Sequence, residues 1–286
     1  MTVVQITQRP SVNGDKSLEK GSRHMVNPLS NSQRSDPIRE RFFEPLRKAD
    51  SISNWLFIIA ALLSFMALRF DAKTEPTGNE LIQTAFIISA VTLFVLGQVT
   101  KLYFWPRAEG PRRKDFLSYC LGANLTHLRT NGYYNNKETD PVRRTGAAVL
   151  ENTLFTKAIV LTMLKWVRFW TFTYILAWLT ALTMRSTDLG WIAVAAQVLF
   201  SEQLVSRWLR MEWLRLKTEE IHNNLLAVFG SNATPTVMQP YIWGAVADYE
   251  TAKANAGILM SEKVFAKHNA SLSAEWDQIR RTNNIL

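Results

Sequence analysis

The chain has 286 residues, of which 47% are apolar and 20% charged, and its formal net charge is +9. Ten tryptophans and fifteen phenylalanines gather beside long uncharged runs that alternate with basic, polar stretches. That unevenness argues against an ordinary soluble protein of two domains and points to an integral membrane protein with large water-exposed parts.

Residues 1–35 are polar and poor in aliphatic side chains. They are expected to form a disordered tail, with Met25 as an alternative initiator and no apolar run of signal-peptide length. Residues 36–50 predict a short amphipathic helix lying on the membrane surface, with Phe42, Phe43 and Leu46 set against Arg39, Arg41, Arg47 and Lys48. Residues 51–105 predict a transmembrane hairpin. Its first arm is the uncharged run 51–68, its loop is "DAKTEPTGNE", and its second arm is uncharged from Leu81 to Thr100. Tyr103 and Trp105 are placed as interfacial anchors, and Pro106 is expected to end the second arm.

Residues 106–165 predict a water-exposed helical segment in two parts, "DFLSYCLGANLTHL" and "LENTLFTKAIVLTML". Between them lies the turn-rich stretch "TNGYYNNKETDP", whose glycine and asparagines tolerate positive φ. Residues 166–206 predict a second hairpin. Its first arm runs from Trp166 to Met184 with Arg168 near one end, where a long side chain can reach the interface. The loop "RSTDLG" leads to a fourth arm interrupted by Gln197, Glu202 and Gln203. Helical spacing then continues through Leu204, Trp208, Met211, Leu214, Ile221 and Leu225 as far as Gly230. A single helix over 190–229 would be on the order of 60 Å long, so residues 207–286 are expected to begin as a stalk outside the membrane. A further helix is expected over 240–268, then a last short one capped by Ser273.

The basic residues orient this layout. Of 33 lysines and arginines, only Arg69, Lys73 and Arg185 fall on the side of the two short loops. The positive-inside rule places the central segment and both termini in the cytoplasm. The fold class expected is therefore all-α: an integral membrane protein with four transmembrane helices in two hairpins and a helical cytoplasmic layer.

Motifs for catalysis are absent from the sequence. The four histidines, His24, His127, His222 and His268, show no metal-ligand spacing, and neither a nucleophile elbow nor a phosphate-cradling glycine loop occurs. The single cysteine, Cys120, excludes an intramolecular disulfide and a cysteine-based metal cluster, and is expected to be a small buried residue. No cofactor, metal or nucleic-acid partner is implied, since the positive charge is what a cytoplasmic membrane face requires.

Two groups of candidate residues follow. Arg168, Gln197, Glu202 and Gln98 are polar groups at membrane depth, where burial is costly. In an antiparallel second hairpin Arg168 and Glu202 lie at matching depth, and serve either as a structural ion pair or, with Gln197, as a polar track inside an oligomer. Tyr133, Tyr134, Asn135 and Asn136, flanked by Arg143 and Arg144, form either a loop that reads a small ligand or partner, or a packing connector.

This layout, short spans carrying cytoplasmic parts, resembles that of the four-helix membrane effectors of bacterial anti-phage systems, and the segments "GYYNN", "LENTLFTKAI", "AKANAGILMSEKVF" and "LSAEW" resemble recurrent segments of uncharacterised bacterial membrane proteins. The resemblance lies in the arrangement of residues 36–286 and carries over no catalytic or ligand residue. It implies a protein of the bacterial inner membrane that perturbs the bilayer as a homo-oligomer, without enzymatic activity, under control of a cytoplasmic part that senses a cytosolic protein or a small signalling ligand. The alternative is a membrane scaffold that conducts nothing and recruits a cytosolic partner.

Overall fold

In a computed structural model the chain is described over residues 36–69, 75–130, 136–183 and 202–286, and every regular element among these is helical. Asp36 starts the first helix by accepting a hydrogen bond from the backbone N–H of Arg39 at 2.9 Å. A π-helical turn, Arg39–Phe43, leads into α1, Glu44–Arg69. Helix α2, Pro76–Val99, pairs with α1 as a hairpin and opens with proline in its first turn, where the missing N–H costs nothing. Trp55, Ile58, Ile59 and Leu62 of α1 and Leu81, Ile87, Ile88 and Phe94 of α2 are all exposed. A face this apolar is of the kind that a bilayer or a partner covers.

The expected surface helix over 36–50 is instead the head of α1 and packs on protein. Ile38, Phe43 and Leu46 are buried against Ala108, Phe104 and Trp105, so the apolar side that the sequence offers to a membrane is taken by the chain itself. Pro106 likewise does not end the second arm. A π-helical turn, Thr100–Phe104, joins α2 directly to α3, Trp105–Leu121, and the Trp105 N–H bonds back to the Thr100 carbonyl. The wider register relieves the clash of a proline ring with the carbonyl four residues before it, and the helix continues. Helix α3 ends at Gly122, which takes the left-handed conformation (φ 67°), earlier than the helix expected through residue 128.

Helix α4, Pro141–Thr183, runs unbroken for 43 residues. The sequence divides this stretch at 165/166 because the polar composition changes there, but no residue near the division opposes helix. From Thr145 to Thr156 every α4 residue is buried. Helices α3, α5 (Arg207–Gly230), α6 (Pro235–Ala256) and α7 (Glu262–Thr282) surround this half. The packing is close: a Cβ added to Gly146 would stand 2.8 Å from the Ile242 Cδ1 and 3.0 Å from the Phe229 ring. Two apolar clusters fill the layer. One joins Leu150 and Leu154 to Phe116, Leu225, Phe229, Ile242 and Trp276; the other joins Phe155, Ile159 and Leu164 to Met211, Leu214, Phe265 and Leu272. Cys120 is fully buried in the first.

The single helix expected over 240–268 is two helices. Gly257 adopts φ 56° and closes α6, and Ser261 caps α7 by accepting from the Val264 N–H at 3.4 Å. A glycine at this left-handed position carries no Cβ penalty, so the break falls there. Ser273, expected as a cap, lies inside α7. Among the described residues three helices are long and apolar enough to cross a membrane: the first includes α1, the second α2 and α3, the third α4. The fourth arm falls mostly on residues 184–201, outside the described residues.

Candidate functional site

Several charged contacts stand where the exposed apolar helices meet the packed layer. In α4 that border falls at Trp166: beyond it Trp166, Phe169, Trp170, Phe172 and Leu176 are all exposed. Just past it, Arg168 reaches α5 and grips Glu212 with two parallel hydrogen bonds, Nε to Oε1 at 2.5 Å and Nη2 to Oε2 at 2.7 Å. The Trp208 indole N–H adds a third, at 3.1 Å. These donors hold the Glu212 carboxyl below the usual carboxylate range, Arg168 first among them. A bidentate guanidinium–carboxylate fork fixes direction as well as charge. It therefore sets how α4 leaves the layer relative to α5.

Arg168 thus has Glu212 as its partner, ten residues beyond the Glu202 that matched it in depth. Glu202 opens a π-helical turn, Glu202–Ser206, that runs into α5. That turn and the following helical turns place Glu212 opposite Arg168. Gln98 is exposed on α2 among apolar neighbours, and Gln197 lies outside the described residues.

Further pairs stand at the same border. Arg207 Nη1 donates to Asn54 Oδ1 at 3.3 Å, joining α5 to α1, and Phe172 meets Trp208 edge-on with ring centroids 5.3 Å apart. Asp36, besides capping its own helix, accepts from Arg112 Nη2 at 2.6 Å in a buried pair that ties the head of α1 to α3. Arg39 and Arg47 both bond Glu262 in the first turn of α7, where the helix dipole also favours a carboxylate. The link between α6 and α7 passes through this junction. Ile258 and Met260 are buried in the cluster around α4, while Leu259 between them packs on the cluster around the head of α1. Three consecutive side chains therefore wedge the hairpin against the layer. Sequence reasoning missed this link, although the "AGILMS" stretch carries its signals: a glycine stop, three apolar residues and a serine cap.

Inside the layer α4 carries a buried polar seam. Thr153 Oγ1 donates to the Leu150 carbonyl at 2.8 Å, so its remaining capacity accepts from His222 Nδ1 at 3.1 Å. A hydroxyl has one proton, and this arrangement puts the imidazole proton on Nδ1. Burial, then Lys157, pushes His222 down to about 4, so the ring is neutral near pH 7. Tyr249 of α6 bonds Thr156 at 2.7 Å and the Asn152 carbonyl at 3.4 Å. Lys253, almost wholly buried, sits 3.2 Å from the Glu250 carboxylate and over the Tyr249 ring; burial lowers its pKa.

Of the loop candidates, Tyr133, Tyr134 and Asn135 lie outside the described residues. The other three are brought together by structural bonds. Asn136 is buried, gives its carbonyl to Tyr119 and bonds the Arg144 carbonyl through Nδ2. Arg143 forks onto Glu138 at 3.2 Å and donates to the Asn284 carbonyl at 2.8 Å, with its guanidinium 5.5 Å from the Phe229 ring. Arg144 Nε donates to the Cys120 carbonyl at 3.0 Å, satisfying the end of α3. These donors are aimed at the protein's own acceptors, which is how packing residues behave.

Among the described residues no three His, Cys, Asp or Glu side chains converge as metal ligands. An open groove of about 520 Å³ runs between α5 and α6, lined by Leu225, Val228, Pro240, Tyr241, Gly244 and Asp248 among others. No family model matches the chain, and no curated protein or solved structure is detectably similar to it.

Proposed function

We propose that this chain is an oligomeric effector or channel-like protein of the bacterial inner membrane, in which the helical layer is cytoplasmic and controls a membrane-permeabilising assembly, in the setting of anti-phage defence. The observation that carries the reading is the junction: exposed apolar helices fastened to a polar-seamed layer by the Arg168–Glu212 fork and the Glu262 pairs. A rearrangement of α5 or of the 257–261 link would change how α1 and α4 leave the layer. Four spans are read from the apolar runs, and the basic-residue asymmetry puts both termini inside. The control signal is a cytosolic protein or small ligand.

Reconstitution into dye-loaded liposomes tests this. Release is expected to rise more steeply than linearly with protein-to-lipid ratio, and Glu212→Gln is expected to alter release while leaving the folded layer intact. A protein that stays monomeric in the bilayer and releases no dye at any ratio overturns the proposal. The scaffold reading is favoured by one feature, the α5–α6 groove with Val237 and Tyr241 exposed beside it. Under that reading liposomes stay sealed and the groove captures a cytosolic protein.

A further inference from the structure

Two clefts follow one another along the hairpin of α1 and α2. One, of about 470 Å³, is apolar and lies between Ile52 and Leu56 of α1 and Val95 and Val99 of α2. The other, of about 170 Å³, lies between the head of α1 and the turn that joins α2 to α3, and is lined by Arg41, Phe42, Pro45, Tyr103, Phe104 and Arg107. Helical spacing aligns them. Phe42, Pro45, Ile52 and Leu56 recur on one side of their helix, and Val95, Val99, Tyr103 and Arg107 follow at steps of four. Pro45 and Ile52 are about 10 Å apart along α1.

We infer that the two clefts form one site for an anionic phospholipid, its phosphate between Arg41 and Arg107 and an acyl chain along Ile52, Val95 and Val99. Charge complementarity argues for the headgroup. Arg39, Arg47 and Arg112 of the same elements each hold a carboxylate. Among the described residues Arg41 and Arg107 hold none, and no carboxylate lines the cleft they share. Each lies over a ring instead, Arg41 5.6 Å from the Phe42 centroid and Arg107 4.8 Å from that of Tyr103. Stacking orients a guanidinium and leaves its N–H edge free for a phosphate oxygen, and an anion between the two relieves their mutual repulsion.

Position argues for a lipid as the source of that phosphate. The cleft opens where the exposed apolar side of α2 ends, with Val95, Val99 and Leu102 outward before Tyr103. A free phosphate has no use for the apolar cleft beyond, whereas a lipid fills both. Basic pockets on the cytoplasmic side of spanning helices meet an anionic leaflet. A headgroup held there would tie the head of α1 to the start of α3, beside the Glu262 pairs. The inference rests on insertion of the hairpin in a bilayer, which is part of the reading above, and needs neither oligomer nor pore.

Native mass spectrometry of the full-length protein with phosphatidylglycerol or phosphatidylcholine of matched chains tests the inference. The first phosphatidylglycerol is expected to bind about tenfold more tightly than phosphatidylcholine. Arg41→Gln with Arg107→Gln is expected to abolish that preference. Lys263→Gln with Lys267→Gln, which removes two exposed charges from α7, is expected to keep it. Inorganic phosphate in millimolar excess is expected to leave the lipid bound. The site is wrong if the arginine pair can be removed without loss, if the α7 control loses the preference as fully, or if phosphate displaces the lipid, which would mark a soluble-anion site. Carbonate washing of proteoliposomes separates the two levels. Protein that is stripped is not inserted, and both readings fall; protein that stays but shows no preference removes only the lipid site.

Discussion

Residues 146–164 and 166–183 belong to one helix, α4, yet they meet opposite surroundings. The first stretch is enclosed by α3, α5, α6 and α7 and carries Thr153, Thr156 and Glu151, all buried. The second holds Trp166, Phe169, Trp170 and Leu176 outward. The apolar window that makes α4 long and hydrophobic enough to cross a membrane is itself 72% buried inside the protein. An apolar stretch of spanning length therefore does not by itself separate the enclosed half of α4 from the exposed one. Partners separate the halves: hydroxyls with fixed bonds to His222 and Tyr249 mark a protein interior, whereas the outward aromatics Trp166, Phe169 and Trp170 meet only one another edge-on, on an exposed apolar surface of the kind a bilayer would cover. The helix passes from enclosed to exposed at Lys165–Arg168, where the fork to Glu212 stands.

Substitutions on either side of that border should separate the halves. Phe155→Ala empties a fully packed site in the inner half and is expected to cost about 3–5 kcal/mol of layer stability, whereas Phe169→Ala in detergent should cost far less. Thermal unfolding followed by circular dichroism reads both, and equal losses would erase the distinction. His222 gives the inner half a pH signature. Its folded pKa of about 4 lies below the unfolded 6.5, so its contribution is fully present above pH 6.5 and is lost as pH falls towards 4. The loss is on the order of 3 kcal/mol, and it should vanish from the pH dependence of a His222→Gln protein.

Much of this layout is legible in the sequence, for reasons that particular residues show. The run Leu81–Thr100 has no charge, so no alternative competed with a spanning-length helix, and "FGSNATP" after α5 is an unambiguous stop. The failures are places where tertiary context outweighs a local signal. Pro106 reads as a terminator, but a π-helical turn absorbs it. The amphipathic head of α1 reads as a membrane-surface helix, because the sequence cannot show that Phe104, Trp105 and Ala108 take its apolar side. Arg168 and Glu212 are 44 positions apart, and only the geometry of the two helices selects Glu212 over Glu202. The Arg143–Arg144 pair reads as a basic patch until Glu138 and the Cys120 carbonyl are seen to occupy it.

Smaller effects sharpen the border itself. A double-mutant cycle of Arg168→Leu and Glu212→Leu should return a coupling of about 1 kcal/mol, as expected for a half-exposed bidentate pair; the same cycle with Glu202→Leu should return none. Coupling to Glu202 instead would move the border by about three turns of helix. Smallest of all, Gln98→Leu on the exposed face of α2 should leave layer stability within about 0.5 kcal/mol.

The most direct test of the two-solvent account is water access along α4. Leu161 and Leu176 are both exposed on the protein, at 41% and 67%, but on opposite sides of the border. In freeze–thawed proteoliposomes a water-soluble maleimide is expected to label Leu161→Cys rapidly and to leave Leu176→Cys unlabelled until detergent is added. Equal labelling of the two before detergent would contradict a bilayer around the outer half.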